Sequence, residues 1–380
     1  MRYQDTVFGG LMKAFPRWRF DALVARHGAD HRVRRLPSWS QFVAMLYAQL
    51  SGSRSLREVV AALERFPSSH AHLGLRPVRR STLSDANRLR PAALFEDVLA
   101  ALVVQLGGVA GGQGRDMLRL IDATRVVVGK RIESWQVDGC VKLHVVYDPG
   151  VETPVCFAVT SVRVNDITPA KRFPIEPGAT YVFDKGYYDF GFWAALDGAG
   201  CRFVTRLKKN SPVAVVETRP AAPGGAVLAE RIGHLSRRLA ASRANPYDKP
   251  VRVVTVALDT GREIELVTND LDTPATEIAA LYKQRWQIEL FFKWIKQNLK
   301  IRHFLGVSEN AVRIQILTAL IAYVLLRIAQ TATGTALGLQ AIARLVAKTT
   351  FQRRPLTELF DPPPDTPPDP EQLQICFPKS

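Results

Sequence analysis

From Trp39 onward the apolar residues of the N-terminal region recur at helical intervals. Phe42, Leu46 and Leu50 lie four apart, with Val43 and Tyr47 beside them, so the spacing predicts a helix over 39–50. Pro37 precedes it, and Ser38 is the expected N-cap. The same reasoning predicts helices over 55–64, 81–89 and 92–106. The glycine-rich run 107–114 reads as a flexible joint. Beyond it the texture changes to short apolar strands over 118–123, 141–147, 154–162, 181–183 and 202–206. Further strands are expected over 213–216, 251–258 and 263–267, interrupted by the Pro/Gly-rich stretch 220–225 and a basic stretch with Arg231, Arg237, Arg238 and Arg243. A long helix opens at Thr273-Pro274, and an apolar helix over 312–326 follows. The segment 361–370 is proline-rich low complexity.

Charge sharpens the picture. The chain of 380 residues carries 51 Lys+Arg against 35 Asp+Glu, a formal +16. A surplus of this size favours a polyanionic partner, either nucleic acid or an anionic membrane surface. Residues 1–110 hold 16 basic and 8 acidic side chains, so half of the net charge sits in under a third of the chain. Arg76, Arg79, Arg80, Arg88 and Arg90 cluster on or beside the helix opened by Ser81-Thr82. Such a helix could enter a DNA groove, or it could be the solvated face of a bundle. Cys140, Cys156, Cys201 and Cys376 form no C-x-x-C pair, which disfavours a zinc ribbon and fits a reducing compartment. The first 30 residues show no signal-peptide pattern. The most apolar run, 314–326, is about 13 residues where a membrane span needs roughly 20, so it reads as a core helix.

Candidate chemistry begins with two aspartates. Asp122 ends the strand opened by Leu118, and Asp184 ends the strand 181–183. A strand-end carboxylate often faces a ligand crevice, although each alone also reads as a turn or cap. The long helix adds Tyr282, Arg285, Glu289, Lys293, Lys296 and Lys300, spaced 3, 4, 4, 3 and 4 apart. These fall on one stripe beside the apolar positions Leu281, Ile288, Phe292, Ile295 and Leu299. Helix salt bridges could account for the lone acid. A site where a carboxylate holds a divalent ion while Arg, Lys and Tyr grip phosphates would account for the acid and the bases together. His144 reads as a strand residue facing a neighbour, Asp189 as a helix cap, and Asp166 and Asp270 as turn residues.

The run Tyr282-x2-Arg285-x3-Glu289-x6-Lys296 resembles the signature of DDE transposases of the insertion-sequence-four type. Asp122 and the Asp184-Lys185-Gly186-Tyr187 motif look like that family's first and second aspartates. The gap of about 105 residues between Asp184 and Glu289 is similar to members with a β-rich insertion. The resemblance implies an α/β fold: a ribonuclease-H-like catalytic core at 115–345 with a β-rich insertion at about 208–270. An all-helical DNA-binding domain at 1–110 would precede it, and a proline-rich tail at 346–380 would follow. It implies that Asp122, Asp184 and Glu289 are catalytic and bind two magnesium ions roughly 3.5–4 Å apart, with manganese able to substitute. Tyr282, Arg285, Lys293, Lys296 and Lys185 would contact DNA, as would Arg79, Arg80 and Arg88 on the N-terminal helix. Trp286 and Trp294 could stack on a base or serve the core.

The expected function is that of a cytoplasmic transposase. It would bind terminal inverted repeats, cut and rejoin double-stranded DNA at transposon ends and target, and act as a homodimer on DNA without a membrane partner. Two alternatives share its residues: a nuclease of the same fold without strand transfer, and a transposase-derived DNA-binding protein that no longer cuts.

Overall fold

The computed structural model describes residues 5–66, 72–109, 117–128, 139–220, 225–240, 243–258, 260–299, 301 and 304–361. Most of the expected glycine joint, Lys300, Cys376 and residues 362–380 lie outside this set. The N-terminal helices are α1 (Val7–Met12), α2 (Arg17–His27), α3 (Ser38–Ser51), α4 (Leu56–Arg65), α5 (Arg80–Leu89) and α6 (Ala93–Val109). α1 and α2 escaped the sequence pattern. Pro37, not Ser38, is the N-cap of α3, because the Ser38 hydroxyl is already committed to Asp30 at 2.7 Å. Gly107 and Gly108 continue α6 rather than opening a joint.

Among the described residues one nine-stranded sheet runs in the order β3-β2-β1-β4-β5-β11-β10-β7-β6. Its first half comprises β1 (Leu118–Val127), β2 (Cys140–Asp148), β3 (Thr153–Ser161), β4 (Thr180–Phe183) and β5 (Arg202–Arg206). β1, β2 and β3 pair antiparallel, whereas β4 lies parallel to β1 and β5 parallel to β4. The short helix α7 (Ile167–Ala170) precedes β4, and α8 (Phe190–Gly198) crosses from β4 to β5. β6 (Val213–Arg219), β7 (Val227–Leu235), β10 (Val251–Ala257) and β11 (Glu263–Thr268) extend the same sheet, with β11 antiparallel to β5. β8 (Arg238–Ala240) and β9 (Arg243–Ala244) form a separate ribbon. Then come α9 (Ala275–Gln284), α10 (Trp286–Asn298), α11 (Glu309–Thr333), α12 (Leu339–Thr349) and α13 (Leu356–Phe360).

α11 is the spine. Ser308 caps its start by accepting the Ala311 N–H, and Gly334 ends it at φ 65°, a left-handed turn that glycine takes without strain. It is 25 residues long, nearly twice the run read from the sequence, and apolar on all sides. By length and hydropathy it could cross a membrane, but 89% of its most apolar window is buried in protein, the signature of a core helix. One hydrophobic cluster joins it to α3, α6 and the sheet residues Leu120, Leu143 and Val182. Two of its buried hydroxyls are hydrogen-bonded: Thr318 donates to Ile314 O at 2.7 Å, and Tyr323 to Glu152 O at 2.6 Å.

The expected tail is partly structured. α12 and α13 carry the chain back to the N-terminus, where Val7 and Phe8 N–H donate to Gln352 O and Thr350 O at 2.9 and 3.0 Å. Phe351 stacks on Tyr47 at 5.1 Å and meets Phe8 and Phe66. The apolar spacing of 342–346 was masked in the sequence by the proline-rich segment after it. Phe351→Ala removes three ring contacts at once. It should lower unfolding stability by about 2–3 kcal/mol in urea denaturation, with no change in the helix content of the folded state.

Candidate active site

β1 and β4 pair in parallel only as far as Ile121↔Phe183. The next residues are Asp122 and Asp184, so both aspartates follow directly where the two strands part. The expectation that Asp122 ends its strand is corrected here. β1 runs on to Val127, paired with β2 alone (Asp122↔Val145), because Thr124-Arg125 continues the alternation past the aspartate. Asp184 does end its strand. It opens a single 3-10 turn, Lys185–Tyr187, and its Oδ1 accepts the Gly186 N–H at 2.7 Å. A side chain at 186 would begin 2.9 Å from that oxygen, so a larger residue there would have to push the Asp184 carboxylate aside.

The third carboxylate comes from the helical pair. The sequence pattern predicts one helix from Thr273-Pro274 through Lys300; two form instead, meeting at Arg285. There the bonding tightens to i→i−3, with Arg285 N–H to Tyr282 O at 3.1 Å and Ile288 N–H to Arg285 O at 3.3 Å. Pro274 caps α9, while the Thr273 hydroxyl donates to Asp270 at 2.7 Å. Ile288, Phe291, Phe292 and Ile295 bury one side of α10, Phe291 lying against Tyr147 and Tyr323. The adjoining edge carries Glu289 toward the strand fork.

Arg285 ties the two sources together. One guanidinium nitrogen lies 2.6 Å from Glu289 Oε1, and another 3.6 Å from Asp122 Oδ2. Its guanidinium also stands over the Tyr282 ring at 5.8 Å. Farther along the helix, Lys296 Nζ donates to the Thr124 hydroxyl at 2.5 Å. Lys293 is exposed and Lys185 half-buried. Trp286 is 57% exposed beside Arg285. Trp294 instead packs edge-on against Tyr323, which assigns it to the core.

The local electrostatics follow from this crowding. The Asp122 carboxyl is pushed up to about 6, chiefly by burial. The Ala123 N–H, donating at 2.8 Å, and Arg285 oppose the shift, while the charges of Asp184 and Glu289 reinforce it. Burial also raises the Tyr282 and Tyr187 hydroxyls. The donor set suits a hard divalent cation, since all three acids offer oxygen. Among the described residues, however, no three His, Cys, Asp or Glu side chains stand close enough for one ion. The Arg285 guanidinium occupies the counter-charge position beside Asp122 and Glu289.

Arg79, Arg80 and Arg88 are exposed on or at the start of α5. The helix begins at Arg80, with Arg79 as an N-cap that makes no side-chain bond, rather than at Ser81-Thr82. Arg90 does not belong to this face. It is buried, donating to Gln41 Oε1 at 3.0 Å and to Leu36 O. Sequence reading missed Arg32, Arg34 and Arg35, which line a groove of about 570 Å3 with Thr82, Asp85 and Leu89. The signal was present as a basic run, but nothing local tied it to α5. His144 is a strand residue whose Nε2 pairs with the Thr160 hydroxyl at 2.8 Å. Asp189 caps α8, accepting the Phe192 N–H at 2.8 Å.

Comparison with known proteins places this geometry in context. Residues 113–325 match the family model described as a transposase DDE domain, and residues 3–76 match a domain of unknown function (DUF4372). A protein of Sinorhizobium fredii named as a transposase (y4zB) is 42% identical over 310 residues, covering 80% of this chain and 85% of its own. A protein of Geobacillus stearothermophilus, named as a transposase for insertion sequence element IS5377, is 28% identical over 75% of this chain and 79% of its own. The solved piggyBac transposase synaptic complex with hairpin DNA is similar at a TM-score of 0.49 and 10% identity, covering 92% of this chain and 80% of that one.

Burial of Asp122 has a measurable cost. Its carboxyl binds a proton more tightly folded (about 6) than at its ordinary value of 3.8. Stability in the absence of divalent cations should therefore fall as pH rises from about 4 to about 6 and stay low above that. Asp122→Asn should raise unfolding stability by about 1–2 kcal/mol at pH 7.5. That gain should vanish near pH 4 when urea midpoints are compared across the range.

Proposed function

Because the chain belongs to the family of transposases with a DDE domain, we propose that it is the insertion-sequence-four type of that enzyme. It is a transposase, and DNA cleavage and transposition are its business. In this reading it binds the terminal inverted repeats of an insertion sequence and transfers strands by metal-dependent transesterification, with Asp122, Asp184 and Glu289 as the catalytic carboxylates. The observation that carries the reading is the convergence at the β1–β4 fork. The residues of Tyr282-x2-Arg285-x3-Glu289-x6-Lys296 meet the first aspartate through Arg285 and its strand through Lys296–Thr124.

The strand order β3-β2-β1-β4-β5, with three antiparallel strands followed by two parallel ones, supports a ribonuclease-H-like core. β6 to β11 would then be the insertion ahead of the catalytic helix. The proposed division is a helical DNA-binding part at 1–110, a catalytic part at 115–345 and a tail from 346.

Asp122, Asp184 and Glu289 would hold two divalent ions, most simply magnesium, which supply Lewis acidity for activating water or a 3′-hydroxyl and for stabilising the leaving 3′-oxygen. The remaining steps belong to the protein. Arg285 neutralises Asp122 and Glu289 while no cation is bound, and its fork then suits a phosphodiester. Lys296, Lys293 and Lys185 grip flanking phosphates, and Tyr282 orients Arg285 through its ring. Trp286, exposed beside the signature, offers a face on which an unstacked base can rest. Arg79, Arg80 and Arg88, with Arg34 and Arg35, form the duplex-backbone contact. The protein acts as a homodimer on DNA, one protomer per end, in the cytoplasm.

The test is cleavage and joining of a labelled duplex carrying the element's own ends with magnesium. Wild type should nick and join. Glu289→Ala should lose activity by about a thousandfold or more while retaining end binding. Cleavage without joined product would favour the nuclease; binding without cleavage by wild type would favour an inactive descendant. Separately, the triple variant Arg79→Ala/Arg80→Ala/Arg88→Ala should weaken end binding at all sequences. It should reduce the slope of log K against log salt by about 3, near one per lost phosphate contact.

A further inference from the structure

Next to Asp184 lies a polar cluster that the reading above leaves unused. Lys142 and His144 stand two apart on β2 and so share one face of the sheet. The register sets His144 opposite Ala123, which puts this face on the other side of the sheet from Asp122. Lys142 Nζ donates to Val164 O at 2.9 Å and to Asp166 Oδ1 at 2.8 Å. His144 is fully buried, and its Nδ1 faces the same Asp166 oxygen at 3.8 Å without a hydrogen-bond partner.

Asp166 lies in a turn, as its sequence context suggests, but its side chain does not serve that turn. Asp189 and Asp270 accept backbone N–H groups of their own turns, whereas Asp166 begins α7 without a side-chain cap bond. Its Oδ2 lies instead 3.4 Å from the point where a Gly186 side chain would start, and Asp184 Oδ1 lies 2.9 Å from that same point. Beneath them the Tyr187 hydroxyl is buried and unpartnered. The second aspartate and Asp166 thus bracket one glycine, and a lysine two strands away fixes Asp166 from behind.

We infer that Asp166, gripped by Lys142, is a positioning residue for the reaction: it pins the Asp184–Gly186 turn against the sheet and so sets the direction in which Asp184 faces a divalent cation. The inference rests on the reading of Asp184 as a cation ligand. Asp184 follows a strand of only four residues, and within its own segment the Gly186 N–H is what holds its carboxylate, so its direction depends on where that turn sits. The Lys142 ammonium keeps Asp166 close despite its like charge with Asp184. Loss of either partner lets the turn drift.

The experiment is a manganese titration of the full chain, reading free Mn2+ by electron paramagnetic resonance, at a temperature where the variants match the wild-type circular dichroism. Asp166→Asn and Lys142→Met should each raise the Mn2+ dissociation constant about tenfold or more while end-DNA affinity is unchanged. Lys142→Arg should stay within about twofold of wild type, because a cation at the same place still holds Asp166. If Asp184→Asn abolishes binding while Asp166→Asn and Lys142→Met bind as wild type, the positioning role is overturned and the site reading survives. If Asp184→Asn itself binds manganese normally, the site reading fails and takes this inference with it.

Discussion

Like charges brought together away from bulk water repel, and this repulsion organises the centre of the molecule. The fork of β1 and β4 brings Asp122 within reach of the charge of Asp184, and the helix adds that of Glu289. Burial then pushes the first carboxyl up to about 6. The chain answers with cations of its own. Arg285 reaches both Asp122 and Glu289, and Lys142 neutralises the carboxylate next behind Asp184. Each cation is held in turn by something apolar or by backbone: Arg285 by the Tyr282 ring, Lys142 by Val164 O. A site built this way is poorly satisfied by protein groups alone, which is the condition for binding something else there tightly.

The scaffold that tolerates this strain is the buried helix α11. It gives the sheet one apolar wall and the N-terminal helices another, through a single cluster that includes Leu120 and Val182 as well as Phe42 and Phe95. Asn310, at its first turn, donates to Asn87 O and Arg90 O at 2.9 and 2.7 Å. That pins the corner between α5 and α6. The exposed arginines of α5 are therefore positioned by the same helix that backs the carboxylates.

Much of this was legible from residue spacing, and the failures have physical causes. The stripe of Tyr282, Arg285, Glu289 and Lys296 was readable because a helix repeats its face every three to four residues, so fixed intervals are a geometric statement. The strand-end rule found Asp184 but misplaced the end of β1, since alternation cannot distinguish a strand that stops from one that only loses a partner. The break at Arg285 left no glycine or proline to announce it. Arg90 carries the same charge as Arg88 and differs only in which way tertiary packing turns it. Asp166 sits in a turn as read, but its partners, Lys142 and Gly186, lie far away in sequence and gave no local sign of the cluster. α1 and α2 are too short or too polar for a periodic signal, and they gain their stability from rings contributed by distant segments such as Phe351.

The shared core also bears on how such a chain can change. In a protein assembled from separable modules, a new recognition specificity can be acquired by exchanging one block for another. Here the block would have to bring its own half of the packing around α11, and a foreign one would leave that helix facing solvent. On the proposal that α5 and its neighbouring loop contact the duplex, retargeting would then proceed by substitution on that exposed surface, residue by residue, with the interior inherited unchanged.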